Sequence, residues 1–175
     1  MREQHNHHIT LWAGIGGSGA LAHTAPLAYA GGLSWQSYHL LLGGDILRNT
    51  SVQRTPPRYS WTEIDATVGY ATAPRDLIAY GFLPEQLTLS ASAGLSWYSF
   101  ATNWRRGRGR VGAPVPVDTN ASHVNTYEWG FGVPIQLQAH YTLLQYVGIG
   151  LVGFANINTK RSDAGVLLTA VISYY

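Results

Sequence analysis

Taken two at a time, residues Trp129, Phe131, Val133, Ile135, Leu137, Ala139 and Tyr141 fall on one side of a segment whose intervening residues are Gly130, Gly132, Pro134, Gln136, Gln138 and His140. Only an extended strand sends alternate residues to opposite faces. One face is wholly apolar with an aromatic at each end, and the other is small or polar. Lipid on one side and a polar barrel interior on the other satisfy both faces at once. The 13 residues of this stretch, at about 3.3 Å each and a tilt near 40°, rise roughly 30 Å, enough to cross an apolar band with its aromatic girdles.

Composition agrees with a strand-built membrane protein. Charged residues are 11% of the chain, against roughly 25% in an average soluble domain. Aromatics reach 12%, with 11 Tyr and 6 Trp, and Gly is abundant at 20. The longest nearly apolar run, Tyr146 to Ala155, falls well short of the roughly 18 residues a spanning helix needs. No Cys is present, which removes disulfides, thiolate metal sites and cysteine nucleophiles. The first eight residues, Met1 to His8, are polar and lack the apolar segment of a secretory signal. A barrel has to be exported, so a signal segment is expected to have been removed from this form.

Period-two alternation and turn residues divide the chain into eight strands, roughly 8–17, 27–38, 40–49, 60–72, 86–100, 123–140, 145–158 and 163–175. No linker or repeat interrupts them, so residues 1–175 are read as a single β-barrel domain. In the fifth strand Leu87, Leu89, Ala91, Ala93, Leu95 and Trp97 share one face. In the first, Ile9, Leu11, Ala13 and Ile15 oppose His8, Thr10, Trp12, Gly14 and Gly16. The seventh sets Val147, Ile149 and Leu151 against Gly148 and Gly150. The eighth is apolar on both faces, and Val166, Leu168, Ala170, Ile172 and Tyr174 are assigned to lipid. The third is fixed by turning Asp45 inward, because a carboxylate in lipid is costly. Connections alternate in length. Those near Tyr38-His39 and Thr142-Leu143-Leu144 are tight, and those after strands one, three and five are longer. The stretch Pro74 to Glu85 departs from this alternation. Pro134 lies mid-strand, where it removes a ladder donor, so a bulge or local break is expected near Val133-Pro134.

With these residues placed, the chain resembles the small eight-stranded outer-membrane β-barrel proteins of Gram-negative bacteria over nearly its whole length. The carriers are the final strand running to Ser173-Tyr174-Tyr175, the alternating sixth strand, and the Gly-rich seventh strand ending Gly153-Phe154-Ala155-Asn156-Ile157-Asn158. The resemblance implies a closed antiparallel up-and-down transmembrane barrel in the bacterial outer membrane. It also implies recognition of the aromatic C-terminus by the barrel-assembly machinery. The family spans adhesins, structural proteins and lipid A-modifying enzymes, so it implies no single activity.

Two groups of residues are candidates for function. All basic residues but Arg2 and Arg75 fall on or beside the expected outer loops. They include Arg54, Arg58, Lys160 and Arg161, with the densest cluster at Arg105, Arg106, Arg108 and Arg110. Guanidinium groups bind phosphate bidentately, and the outer leaflet presents lipopolysaccharide phosphates, so this rim is expected to contact lipopolysaccharide. The plain alternative is a solvated loop kept soluble by its charge. Nucleic acid is not expected as a partner, since a short Arg-Gly run is a weak signal for it. The second group points inward: Asp45, Glu63, Asp65, His140, Gln136 and Gln138, with His8, Gln36 and Asn156. An eight-stranded barrel is just wide enough for side chains to fill, and buried polar groups must find partners, so a hydrogen-bonded polar plug is expected rather than an ion path. Three carboxyls with no clearly inward Lys or Arg make that plug electrostatically awkward.

Weaker signals are the terminal His5, His7 and His8, two of which stand at alternate positions as metal ligands can, and Ser122, His123 and Glu128, which lie near the outer rim without a recognisable catalytic spacing. No cofactor, resident metal or enzymatic activity is expected. Gly14, Gly16, Gly148 and Gly150 suit either close packing against another outer-membrane protein or strand curvature. A non-enzymatic structural or surface-interaction role is the main expectation. Behind it stand a lipid A acyl hydrolase or transferase, a narrow channel, and a soluble ligand-binding barrel of the lipocalin or avidin type.

Overall fold

A computed structural model describes residues 7–19, 27–50, 58–72, 86–105, 123–160 and 162–174, with backbone alone at 58–59, 102–105 and 123–126. Eight strands follow one another: β1 His7–Ser18, β2 Leu27–Ser37, β3 Leu40–Thr50, β4 Arg58–Ala71, β5 Leu87–Arg105, β6 His123–Thr142, β7 Val147–Ile157 and β8 Asp163–Tyr174. Each pairs antiparallel with its sequence neighbours, and β1 pairs with β8 from Ile9↔Tyr174 to Ser18↔Gly165, so the sheet closes on itself. Closure leaves no sheet edge within the cylinder, which is what allows strands to cross hydrocarbon. No helix among the described residues is long and apolar enough to cross a membrane.

Parity is kept around the barrel. Ile9, Leu11, Leu33, Ile46, Ile64, Val68, Leu95, Ile135, Leu137, Ile149, Leu151, Leu168 and Ile172 all project outward and are exposed. Aromatics flank this belt at both ends: Trp35, Tyr70, Tyr146 and Tyr174 toward the end where β2 turns into β3, and Tyr29, Trp97 and Trp129 toward the other. Tyr146 and Tyr174 stack at 6.0 Å between centroids, and His7 stacks on Trp35 at 5.9 Å. In water such a belt would be an aggregation surface; against lipid it is the solvated state. Eleven-residue strands such as β2, β3 and β7, tilted by about 40°, rise about 28 Å and match the apolar band.

Two connections sit where the sequence put the tight ones. Tyr38 and His39 join β2 to β3, with Tyr38 at φ 53°, a left-handed conformation uncommon outside Gly, Asn and Asp. The Gln36 amide Nε2 donates to the Tyr38 carbonyl at 2.7 Å, and His39 stacks on Tyr70 at 4.9 Å, which together hold the turn. Residues 143–146 join β6 to β7, with the Leu143 and Leu144 amides both donating to the Val147 carbonyl. The stretch Pro74 to Glu85 lies outside the described residues.

Three features differ from the sequence expectation. First, β5 and β6 are longer than anticipated, at 19 and 20 residues, and pair with each other up to Arg105↔His123. Pairing of β6 with β7 begins only at Val133↔Ile157, so among the described residues β6 above Val133 pairs with β5 alone. Second, Pro134 produces no bulge. The β5–β6 ladder runs to Ala93↔Ile135, omits Gly94 and Leu95, and resumes at Ser96↔Gly132 in the same register. The missing Pro N–H thus gives the break half of the expectation, without an inserted residue. Beside it, Gly94 lies so close to β4 that a Cβ there would stand 1.9 Å from the Ala66 carbonyl oxygen. Third, the lumen is not uniformly polar. Trp12, Leu47, Val152, Phe154, Leu167 and Val171 belong to one apolar cluster inside it, and Trp61, Tyr98 and Phe100 form another. The inward face of β8 is therefore apolar because it packs against Trp12 and Val152, which is why its sequence is apolar on both faces. Gly32 makes room for Trp12, whose indole would lie 2.7 Å from any Cβ at that position.

The belt makes a direct prediction. Leu137 is exposed on the outer face and pairs with Gly153 near the middle of β7, and Leu137→Arg should destabilise the barrel by about 2–4 kcal/mol, the depth-dependent cost of a guanidinium at the bilayer midplane. Urea titration of folded protein in lipid vesicles measures this, and Lys160→Gln, on the exposed 158–162 connection, should stay within about 0.5 kcal/mol of the parent.

Candidate functional site

Inward-facing polar side chains gather in the middle of the lumen. Asp45 on β3 and Asp65 on β4 are cross-strand partners, and Glu63 lies two residues along β4 on the same face. All three are more than nine-tenths buried, at 8%, 6% and 2% exposure. The Asp65 carboxyl reaches both Asp45 and Glu63, while its Oδ1 has no hydrogen-bond partner. From the opposite wall Gln136 on β6 donates Nε2 to Asp45 Oδ2 at 2.7 Å, and Gln138 donates to Gln136 Oε1 at 3.0 Å. Glu63 accepts from the Trp61 indole N–H at 3.0 Å, and Trp61 in turn stacks on Tyr98 at 4.8 Å and meets Phe100 edge-on. Asn156 on β7 donates to Ser96 Oγ on β5 at 2.7 Å. These bonds tie non-neighbouring strands together across the barrel, so the lumen is a cross-braced interior rather than an open bore.

His140 sits apart from this group. Its Nε2 is buried without a partner, and it lines a cavity of about 60 Å³ with His8, Thr10, Gln36 and Gln138 at the end of the barrel that carries the 38–39 and 143–146 turns. The sequence therefore grouped His140 with the central carboxyls, whereas the fold places it at that end of the lumen.

A second acidic position was not singled out from the sequence. Asp163 opens β8, is 4% exposed, and accepts from the Asn49 side-chain amide on β3. Its Oδ1 accepts from the backbone N–H of Ala164 at 2.9 Å. The only available signal was that Asp163 shares inward parity with Leu167 and Val171, a parity obscured by the two-sided apolar pattern of β8. No Lys or Arg side chain among the described residues enters the lumen, because Arg48 and Lys160 are both exposed.

The basic residues lie at the other end from the tight turns. Arg48 projects outward near the end of β3, cross-strand from Tyr29. The backbone of Arg58 starts β4, that of Arg105 ends β5, and Lys160 is exposed in the 158–162 connection with its N–H bonded to Asn158 Oδ1. Arg54, Arg106, Arg108, Arg110 and Arg161 lie outside the described residues. So do Ser122 and the side chain of His123, so the grouping of 122–128 falls outside the described residues. His5 is also outside them, while His7 and His8 point to opposite faces of β1. Among the described residues no group of three or more His, Asp or Glu is arranged to hold a metal.

Comparison of the fold gives a clear class. The structure of Neisserial surface protein A superposes with a TM-score of 0.65 at 10% identity, covering 97% of each chain. Ail, the attachment invasion locus protein of Yersinia pestis, gives 0.56 at 7% identity over 96% of this chain and 97% of its own. The N-terminal β-barrel domain of Pseudomonas aeruginosa OprF gives 0.53 at 11% identity over 94% and 97%. No protein-family model and no curated protein matches the sequence. This chain has the fold of the small eight-stranded outer-membrane barrels.

Within that fold, the Gln136–Asp45 bond is expected to contribute measurably. Gln136→Leu leaves Asp45 Oδ2 buried without its donor and should cost about 1–3 kcal/mol. Reversible urea unfolding in vesicles measures it. Asp45→Asn combined with Gln136→Leu should cost less than the sum of the two single changes, because they share one interaction.

Proposed function

We propose that this chain is a non-enzymatic outer-membrane barrel whose basic rim contacts the phosphates of lipopolysaccharide, a structural and surface-interaction role. One observation carries the reading: every Lys and Arg among the described residues, Arg48, Arg58, Arg105 and Lys160, lies at one end of the barrel, the end bearing the 19–26, 51–57, 106–122 and 158–162 connections. Longer connections belong outside in barrels of this kind, and short turns in the periplasm. Arg48, exposed and paired across the sheet with Tyr29 of the aromatic girdle, stands at the height where headgroup phosphates begin. Arg54, Arg106, Arg108, Arg110 and Arg161 add charge to the same connections in sequence.

Guanidinium forks grip phosphate and sulfate oxygens more tightly than a point charge does. Consistent with such a surface on this fold, Ail of Yersinia pestis has a structure in complex with the heparin analogue sucrose octasulfate, and that structure covers 96% of this chain at a TM-score of 0.57. The cross-braced lumen favours a structural role for the barrel and works against conduction. The Asp45, Glu63, Asp65, Gln136, Gln138 network and His140 would then serve rigidity. During biogenesis the barrel-assembly machinery would be its partner.

The test replaces Arg105, Arg106, Arg108 and Arg110 together with Gln and measures lipopolysaccharide binding to the folded protein in detergent. At about 50 mM salt, binding should weaken about tenfold or more, and its dependence on salt should flatten. The fourfold Arg→Lys variant should retain the salt dependence but only part of the affinity. Unchanged binding in the Gln variant would remove the rim from this role.

A further inference from the structure

We propose that the outer mouth of the lumen holds a calcium-class divalent cation, bound by Asp163, Glu63, Asn49 and Ser18. These four residues come from β8, β4, β3 and β1; Asn49 and Ser18 lie against the Asp163 carboxyl, and Glu63 is within electrostatic range of it. Asp163 and Glu63 are 4% and 2% exposed and lie close enough for their charges to interact. The Asn49 amide donates its Nδ2 to Asp163 Oδ2, so the carbonyl oxygen of the same amide, Oδ1, lies beside that carboxyl. That oxygen is buried and has no hydrogen-bond partner, in a residue that is 3% exposed. Ser18, at 2% exposure, sets its Oγ beside the Asp163 carboxyl, too poorly aligned for a regular hydrogen bond, and it too is without a partner.

The chemistry of this set is acceptor-rich. Two carboxyl groups, an amide oxygen and a hydroxyl oxygen lie together, and the donors on hand are the Asn49 Nδ2, the Ala164 N–H, the Trp61 indole on Glu63 and the Ser18 hydroxyl. Buried acceptors with unfilled lone pairs cost free energy, and paired carboxylates out of water cost more. A positive charge at the centre resolves both problems. The exposed Arg48 and Lys160 do not supply it from the described residues. Oxygen-only donors of this kind select a hard cation, and Ca²⁺ tolerates the irregular geometry of carboxylate, amide and hydroxyl ligands, completing its shell with water. Two carboxylates with two neutral oxygens form a modest site, in keeping with the lack of any cluster of three His, Asp or Glu among the described residues. The site lies toward the end bearing the longer connections.

Trp61 provides the readout, since its indole bonds a proposed ligand, Glu63. The folded protein in detergent micelles, stripped with EDTA and dialysed, is titrated with terbium chloride under tryptophan excitation. Saturable sensitised emission that calcium chloride displaces is expected. Asp163→Asn and Glu63→Gln should each weaken binding at least about tenfold, while His140→Asn, at the other end of the lumen, should leave it within about twofold. Heat-dependent gel mobility shows that each variant is folded. Should Asp163→Asn fail that check, the parent protein decides: its melting temperature should be higher in millimolar calcium chloride than in EDTA. Absence of saturable emission, equal binding by parent and Asp163→Asn, loss of binding in His140→Asn, or a melting temperature indifferent to calcium each overturns the proposal.

Discussion

Everything in this molecule depends on closing one hydrogen-bond ladder. In hydrocarbon no water can satisfy a free N–H or C=O, so each strand must be paired on both sides for as long as it is in contact with lipid. The β1–β8 seam meets that condition by joining residues nearly a full chain length apart, Ile9 with Tyr174. Once closed, the pleat decides the rest. Every residue faces either acyl chains or the lumen, and a slip of one residue on any strand would exchange the two sets. The apolar belt, the aromatic girdles and the buried acids are all consequences of that single parity.

The lumen shows what such a parity demands in return. Eight strands enclose a space narrow enough for side chains to fill, and the fill is part apolar and part polar. Val152, Phe154 and Leu167 supply volume without needing partners. Polar residues impose direction: Gln136 reaches Asp45 from the facing wall, and Asn156 reaches Ser96. These braces resist ovalisation of the barrel as well as slippage of its strands. Four buried acids with no Lys or Arg side chain described among them remain the anomaly in this interior.

Most of the fold was legible because it rests on a local signal. Alternation in β1, β5, β6 and β7 can be read from neighbouring residues alone, and turning Asp45 inward fixed β3 correctly. Strand β8 was harder, since Leu167 and Val171 are apolar for reasons of core packing that lie on other strands. The outer end of β6 was read at His123, but that of β5 was missed because the sequence beyond Phe100 loses its apolar alternation while the strand continues to pair. The candidate site was legible only in composition. That Asp45, Gln136 and Gln138 face inward follows from parity, but their bonding depends on how β3 and β6 meet across the lumen, which no local pattern encodes. The grouping of Asp163, Asn49, Glu63 and Ser18 is likewise a product of closure, and His140 shares the polar face of β6 yet ends in a different part of the lumen.

The unequal reach of β6 and β7 also fixes how deep the barrel can sink. Above Val133↔Ile157, the β7-facing backbone of β6 has no strand beside it among the described residues. Such a margin cannot enter acyl chains without leaving amides unsolvated. The level of Val133 is therefore an upper waterline for the hydrocarbon on this side of the barrel. Phe131, Trp129 and Tyr127, although they continue the apolar stripe, stand above it in the headgroup and sugar layer, where large amphipathic rings are at home. The barrel thus carries its own depth gauge, written, among the described residues, in the reach of its ladders rather than in side-chain hydrophobicity.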